Sequence, residues 1–263
     1  MTHLSGKTAL ITGSTSNIGR AIAEAYAARG LHVVVSGRDD ARGNAVVERI
    51  RATGGRANYL HADLDGTLAA SRALAESATA VLGGRIDILV NNAGIYPPAT
   101  TSTADEAMFD RVYAVNVKAP FFLTQTIAPA MIEAGGGVII NLGSWVARLS
   151  VPVGALYAST KGAMETLTRA WSAEFGPRGV RVNAISPGVI RPGDQAPDAP
   201  SPGDTMMYGT PAGRLGAPEA IAAAAVYLAS GDAEFVHGTV LDVDGGRTGV
   251  AVIAEPVAAS GRV

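Results

Sequence analysis

Short runs of β-branched and aliphatic residues recur along the chain, separated by longer Ala-rich stretches. The runs Thr8–Thr12, His32–Ser36, Ala57–His61, Ile86–Val90, Val138–Leu142, Val180–Ile185 and Val240–Val243 are largely apolar on both faces. Strands buried in a parallel sheet read this way, because helices cover both sides. Ile18–Arg29, Asp39–Ala52, Thr67–Leu82, Ala104–Glu133, Ala155–Phe175 and Pro218–Ala229 place apolar residues at helical spacing instead. Alternation repeated this often predicts right-handed crossovers and a doubly wound α/β sheet of about seven parallel strands with helices on both faces. No linker or internal repeat breaks the pattern, so residues 1–263 are read as one domain. Two pieces are irregular. One is a stretch at about 189–211 carrying Pro192, Pro197, Pro200, Pro202 and Pro211, which suits a lid over a ligand. The other is the tail 247–263, whose apolar Val250–Ile253 could reach a partner subunit.

Composition narrows the function classes. With 21 Lys+Arg against 23 Asp+Glu, the net charge is −2, and no basic excess offers itself to nucleic acid. The absence of Cys removes disulfides, thiolate metal sites and a Cys nucleophile. His3, His32, His61 and His237 are scattered without helical pairing, so no metal site is expected. The longest apolar run, Ala220–Ala229, is too short to span a bilayer, and Met1–Gly6 is polar, unlike a signal peptide. The expectation is a cytoplasmic protein that binds neither membrane nor nucleic acid.

Candidate chemistry begins where the first strand meets the first helix, at Thr12-Gly13-Ser14-Thr15-Ser16-Asn17-Ile18-Gly19. Free N–H groups of the first helical turn would face a phosphate there. Gly13 permits a sharp turn and Gly19 close packing of helix on sheet, although an ordinary βα turn has similar composition. The second strand ends in Ser36-Gly37-Arg38. In dinucleotide folds an acid near this point binds ribose hydroxyls, whereas an Arg accommodates a 2′-phosphate. Arg38 therefore favours NADP(H) over NAD(H), unless it simply faces solvent beside Asp39 and Asp40. Further on, Tyr157 and Lys161 lie four apart on one helix face. A phenol titrates near 10 and needs a neighbouring ammonium to act as an acid–base group near neutrality. Ser144 ends the preceding strand, at the carboxyl edge where open α/β sheets bind ligands.

With these motifs in order, the chain resembles the short-chain dehydrogenases/reductases of the shorter, single-domain branch. The resemblance runs roughly from residue 4 to 246 and rests on Thr12–Gly19, Asp63, Asn91-Asn92-Ala93-Gly94, Asn116, Ser144, Tyr157 with Lys161, Asn183, Pro187-Gly188 and Val243-Asp244-Gly245-Gly246. It implies a Rossmann fold and an oxidoreductase that interconverts a ketone and a secondary alcohol. It implies Tyr157 as general acid in reduction and base in oxidation. Lys161 would lower the Tyr157 pKa and hold the nicotinamide ribose, Ser144 would bind the substrate oxygen, and Asn116 would hold a relay water. Gly13, Ser14, Ser16, Asn17, Ile18 and Gly19 would hold the cofactor phosphates. Asp63 and Leu64 would meet the adenine, and Asn91, Ala93, Gly94, Pro187, Gly188 and Ile190 would complete the cofactor site. Ser144, Trp145, Tyr96 and Tyr157 would line the substrate site, with Val146, Leu149 and Met206-Met207-Tyr208 near by. The family also implies a homotetramer that pairs Ala104–Glu133 and Ala155–Phe175 between subunits.

Three departures from the family pattern stand out. Asn17 replaces the middle Gly of the phosphate loop; Asn tolerates left-handed backbone, so the turn is expected to survive. Pro192 stands where the family places a Thr that holds the carboxamide, which leaves backbone at Ile190 for that task. The lid is rich in Pro and Asp, so its helix is expected to be short or absent. Acyl-carrier reductases of the family resemble one another in placing Lys or Arg at the end of the long helix before Ser144's strand and again in the helix carrying Tyr157 and Lys161. Here Glu133-Ala134-Gly135-Gly136-Gly137 and Ala173 stand at those places, with Arg169 and Arg178 near by. A small free substrate is therefore preferred to a 3-oxoacyl carrier. A non-catalytic nicotinamide-binding scaffold and a sugar-nucleotide epimerase are further readings; the intact Ser144, Tyr157, Lys161 and Asn116 argue against the former, and the little chain after Gly246 against the latter.

Overall fold

A computed structural model describes residues 4–149, 151–152, 154–193, 195–196 and 199–251. His3, Pro197 and most of the tail, including Ile253, lie outside the described residues. Seven strands form one parallel sheet: β1 (Thr8–Ile11), β2 (His32–Gly37), β3 (Arg56–His61), β4 (Ile88–Asn91), β5 (Gly137–Leu142), β6 (Val180–Pro187) and β7 (Val240–Val243). Their spatial order is β3-β2-β1-β4-β5-β6-β7. The order reverses between β1 and β4, and that switch point opens a crevice at the carboxyl ends of the strands.

The alternation within each strand explains the two cores. In β1, Ala9 and Ile11 join one buried cluster while Leu10 joins the other. Residues of α1 (Asn17–Ala27), α2 (Asp40–Ala52) and α7 (Pro218–Ala229) fill the first cluster. Residues of α3 (Leu68–Val81), α5 (Ala119–Glu133) and α6 (Ala155–Phe175) fill the second. Both faces are dry, as runs of unbroken Val, Ile and Leu require.

The elements match the sequence expectation with ends displaced by a residue or two, except in one place. The expected helix Ala104–Glu133 consists of α4 (Glu106–Tyr113), a π-helical segment Ala114–Lys118 and α5. Such π segments interrupt helices most often at functional sites, and Asn116 lies inside this one. The lid holds one 3₁₀ turn, Asp204–Met207, so the short helix expected there is a single turn. Arg20 of α1 donates to the Gly193 carbonyl at 2.9 Å and ties the lid to the helix that follows the phosphate loop. Among the described residues no helix is long and apolar enough to cross a membrane.

Candidate active site

A cleft of about 670 Å³ runs along the carboxyl edge from Arg38 to Tyr157. Its floor is the β1–α1 loop. Gly13 has φ +61°, and a Cβ there would stand 2.8 Å from the Ala93 Cα; at Gly19 a Cβ would stand 2.5 Å from the Gly13 carbonyl. Both glycines are demanded by contact with neighbouring backbone. Asn17 takes φ +45°, the left-handed value expected of it. Its buried Oδ1 has no partner, and no side chain caps the first turn of α1. An unsatisfied helix N-terminus opening on a cleft fits an anionic ligand such as a dinucleotide pyrophosphate.

The loop residues divide by direction. Thr15, Ser16, Asn17 and Ile18 line the cleft. Ser14 is fully buried: its hydroxyl donates to the Ile11 carbonyl at 2.7 Å and accepts from the Ser36 N–H at 3.0 Å. Its side chain therefore braces the loop from within, and Thr15 stands on the cleft wall in its place. Asn92, absent from the sequence-based site, clamps the loop by donating to the Thr12 and Gly13 carbonyls at 2.8 and 2.9 Å. The repeated amide in Asn91-Asn92 was the available signal. Asn91 itself turns inward and donates to Asn141 at 2.9 Å; Asn141 in turn donates to Thr168 at 2.8 Å. That buried chain of amides and hydroxyls joins β4, β5 and α6 beneath the site.

At one end, Asp63, Leu64 and Arg38 line the cleft. Asp63 accepts from Arg111 at 2.8 Å. At the other end, Pro187 closes β6, and a Cβ on Gly188 would lie 2.6 Å from the Asp244 Cα. Ile190 pairs with Gly216 through Val189 C=O and Arg191 N–H, a pairing that itself uses neither the N–H nor the C=O of Ile190 among the described residues. Pro192 is exposed.

The four expected catalytic residues come together. The Ser144 hydroxyl lies beside the Tyr157 phenol. Burial pushes that phenol up to about 12, the Ser144 hydroxyl draws it down, and Tyr96 adds to the rise. Lys161 is 5% exposed, and burial lowers its ammonium to about 8. Its Nζ donates to the Leu142 carbonyl at 2.8 Å and stands 5.5 Å from the centre of the Tyr157 ring. The Asn116 amide is committed: it exchanges two hydrogen bonds with Ile95 backbone at 2.8 and 3.0 Å and donates to Thr160 at 3.1 Å. A Cβ on Gly94 would stand 3.5 Å from Asn116 Oδ1 and 3.6 Å from Lys161 Nζ. Its missing side chain keeps the space between those groups open.

The substrate side differs in part from the sequence reading. Tyr96 is half exposed, and its ring packs at 4.7 Å on that of Tyr157. Trp145 is buried, with the Arg247 guanidinium 4.1 Å above its ring, so it packs under the wall. Met207 is buried as well, near Gly245, whereas Tyr208 and Leu149 are exposed and Val146 and Met206 half-buried. Among the described residues no group of three His, Cys, Asp or Glu is placed to hold a metal.

Residues 13–248 match the family model described as enoyl-(acyl carrier protein) reductase. A solved "short chain dehydrogenase/reductase family protein" is 42% identical, superimposes with a TM-score of 0.84, and the match covers 94% of this chain and 100% of that one. The chain belongs to the short-chain dehydrogenase/reductase family. D-threitol dehydrogenase of Mycolicibacterium smegmatis is 38% identical over 248 residues, 94% of each chain. A putative NAD(P)-dependent gluconate 5-dehydrogenase from Beutenbergia cavernae, solved with bound NADP, is 38% identical with a TM-score of 0.85 over 93% of this chain and 97% of that one. As a short-chain dehydrogenase/reductase, the chain is an oxidoreductase of alcohol and carbonyl groups.

Proposed function

We propose that the protein is an NADP(H)-dependent reductase/dehydrogenase that interconverts a small free ketone and its secondary alcohol. The observation that carries this reading is the Ser144–Tyr157–Lys161 cluster at one end of a cleft whose other end presents Arg38. A nicotinamide dinucleotide bound there supplies or accepts the hydride. Its pyrophosphate would meet Ser16, Asn17, Ile18 and Gly19 at the start of α1, with Gly13 and Ser14 shaping the turn. Asp63, Leu64, Ala93, Gly94, Pro187, Gly188 and Ile190 would flank it, and Asn91 would support it from below.

The chain's own groups handle the proton. Ser144 and Tyr157 are both O–H donors, aimed at the place where charge develops on a carbonyl oxygen. Tyr157 gives its proton to that oxygen in reduction and takes one from the alcohol in oxidation. Lys161, charged below about 8, favours the phenolate and helps the proton leave. With the Asn116 amide committed, its backbone carbonyl is the group left to hold a relay water. Asn116 lies in the π-helical break Ala114–Lys118, and Pro120, four residues on, has no N–H to give its carbonyl. The lack of basic residues in Glu133–Gly137 and at Ala173 supports a free substrate over a carrier-bound one.

The test follows nicotinamide absorbance with NADPH or NADH and a panel of polyols, cyclic alcohols, ketones and 3-oxo thioesters. Turnover that prefers NADPH and free substrates supports the reading; turnover confined to the thioesters overturns the substrate class. Arg38→Ala is expected to weaken NADPH binding by about 1.5–3 kcal/mol, roughly one charge-assisted phosphate contact, and to leave NADH binding unchanged. Equal losses for both nucleotides, measured by titration, would remove Arg38 from the 2′-phosphate.

The same reading includes a homotetramer. The α5–α6 face carries two neighbouring apolar hollows of about 440 and 430 Å³, bordered by Val117, Phe121, Phe122, Leu167 and Trp171. Phe121 is 40% exposed, and a second copy packed helix to helix would cover it. Light scattering should report four subunits, and Phe121→Asp should give smaller species; a monomeric parent protein would refute the assembly.

A further inference from the structure

Asp39 and Asp63 line the cleft with Arg38, Asp40 follows two residues after Arg38 in the chain, and each of the three is held by another partner. Asp39 caps α2, accepting from the Arg42 N–H at 3.0 Å and from its Nε at 2.8 Å. Asp63 is paired with Arg111 across the cleft. Asp40, the first residue of α2 and two residues from Arg38, is held from the sheet. Its Oδ1 accepts from the Tyr59 hydroxyl at 2.9 Å and lies 2.7 Å from the His61 Nδ1. Arg38 is exposed, and no acid pairs with it among the described residues.

The holding groups sit where the sheet register puts them. In β3, Tyr59 and His61 point to the same face, under the start of α2. His61 is the register partner of Gly37, the residue just before Arg38. The Tyr59 hydroxyl shares its single proton between the Asp40 carboxylate and the Gly37 carbonyl, the latter 2.7 Å away. Tyr59 is packed tightly: a Cβ on Gly43 would stand 2.2 Å from its ring. The hydroxyl is therefore fixed in place by backbone on one side and the helix on the other. These bonds hold the Asp40 carboxyl below its ordinary pKa, so it is an anion throughout the neutral range.

An anion so close to Arg38 could turn toward it and cancel the charge a phosphate needs. We infer that Tyr59 and His61 are cofactor-specificity positioning residues: they hold the Asp40 carboxylate away from Arg38 and so keep that guanidinium available to a 2′-phosphate. This inference rests on the NADP(H) reading and extends it to residues outside the phosphate site. The ligand it concerns is the adenosine 2′-phosphate; neither residue touches the reacting atoms.

The experiment titrates the full-length protein with NADPH and with NADH. The set is the parent, Arg38→Ala, Tyr59→Phe, His61→Gln, Tyr59→Phe with His61→Gln, and that pair with Asp40→Asn. The Phe variant keeps the packed ring, and thermal melts establish that each protein folds. The double variant is expected to bind NADPH about 3- to 10-fold more weakly, the scale of one released surface charge, with NADH affinity unchanged. Adding Asp40→Asn removes the released charge and should restore NADPH affinity. Equal weakening for both nucleotides, or no rescue by Asp40→Asn, would show a merely structural role and overturn the inference. Selective loss in Arg38→Ala with none in the double variant would overturn the inference and leave the NADP(H) reading standing. No selective loss in Arg38→Ala would remove both.

Discussion

Tyr157→Phe should abolish turnover, by about 10³-fold or more, while nucleotide binding and the melting temperature stay close to those of the parent. The change removes one oxygen and keeps the ring that packs on Tyr96 at 4.7 Å. What is lost is the proton donor beside Ser144. The size follows from general acid–base catalysis, typically worth 10²–10⁴-fold, together with one lost donor to the developing oxyanion. The pH dependence gives the sign. A phenol pushed up to about 12 by burial is protonated at neutrality, ready to donate to a carbonyl. Reduction should therefore hold level through neutral pH and fall in alkali, whereas oxidation, which needs the phenolate, should rise with pH. Lys161→Met removes an ammonium that is charged only below about pH 8, so it should slow oxidation most in that range. A Tyr157→Phe protein that turns over within tenfold of the parent would place the acid–base group elsewhere.

Gly13→Ala should damage the cleft floor in two ways at once. Two penalties add. The left-handed backbone costs an L residue about 1–2 kcal/mol, and forcing backbone apart costs roughly another 1–3 kcal/mol. The second arises because the new Cβ would face the Ala93 Cα at 2.8 Å, where no flexible side chain can yield. The expected result is a lower melting temperature and a large loss of affinity for both nucleotides, because the phosphate loop must lift from β4. Gly6 provides the comparison: its φ is +82°, and nothing lies within 4 Å of a Cβ there. Gly6→Ala should therefore show the backbone penalty alone, with cofactor affinity intact. If both variants bind nucleotide equally well, close packing on Ala93 is not what shapes the loop.

The fold was legible because its signals are local and repeated. Each strand is a largely apolar run rich in Val, Ile or Leu, and each crossover helix shows its period within a dozen residues. The candidate catalytic residues were legible through the family resemblance: Tyr157 and Lys161 sharing a helix face and Ser144 at a strand end say little alone, and the ordered motifs gave them their roles. What escaped the sequence depends on direction. Nothing in the order Asn91-Asn92 says that the first amide turns into the sheet and the second clamps the loop. Trp145 reads as a cleft aromatic until Arg247, a hundred residues on, proves to cover it. The break at Ala114–Lys118 is hidden in an ordinary helical pattern, since one extra residue per turn shifts hydrogen bonds without changing the residue types. The shielding of Arg38 needs β3 to be seated beside β2, which is a property of register and of no local segment.

The buried line from Asn91 through Asn141 to Thr168 also bears on how the chain reaches its final form. A strand that docked one position out of step would turn these amides toward the wrong layer and strand them among Val and Ile. Each buried group left without its partner costs about 1–3 kcal/mol, a heavy sum for an intermediate to carry. Misaligned arrangements of β4 and β5 are thereby disfavoured. Ser144 and Tyr157, borne on the strand and helix that this line joins, thus come to the same depth as a condition of folding at all.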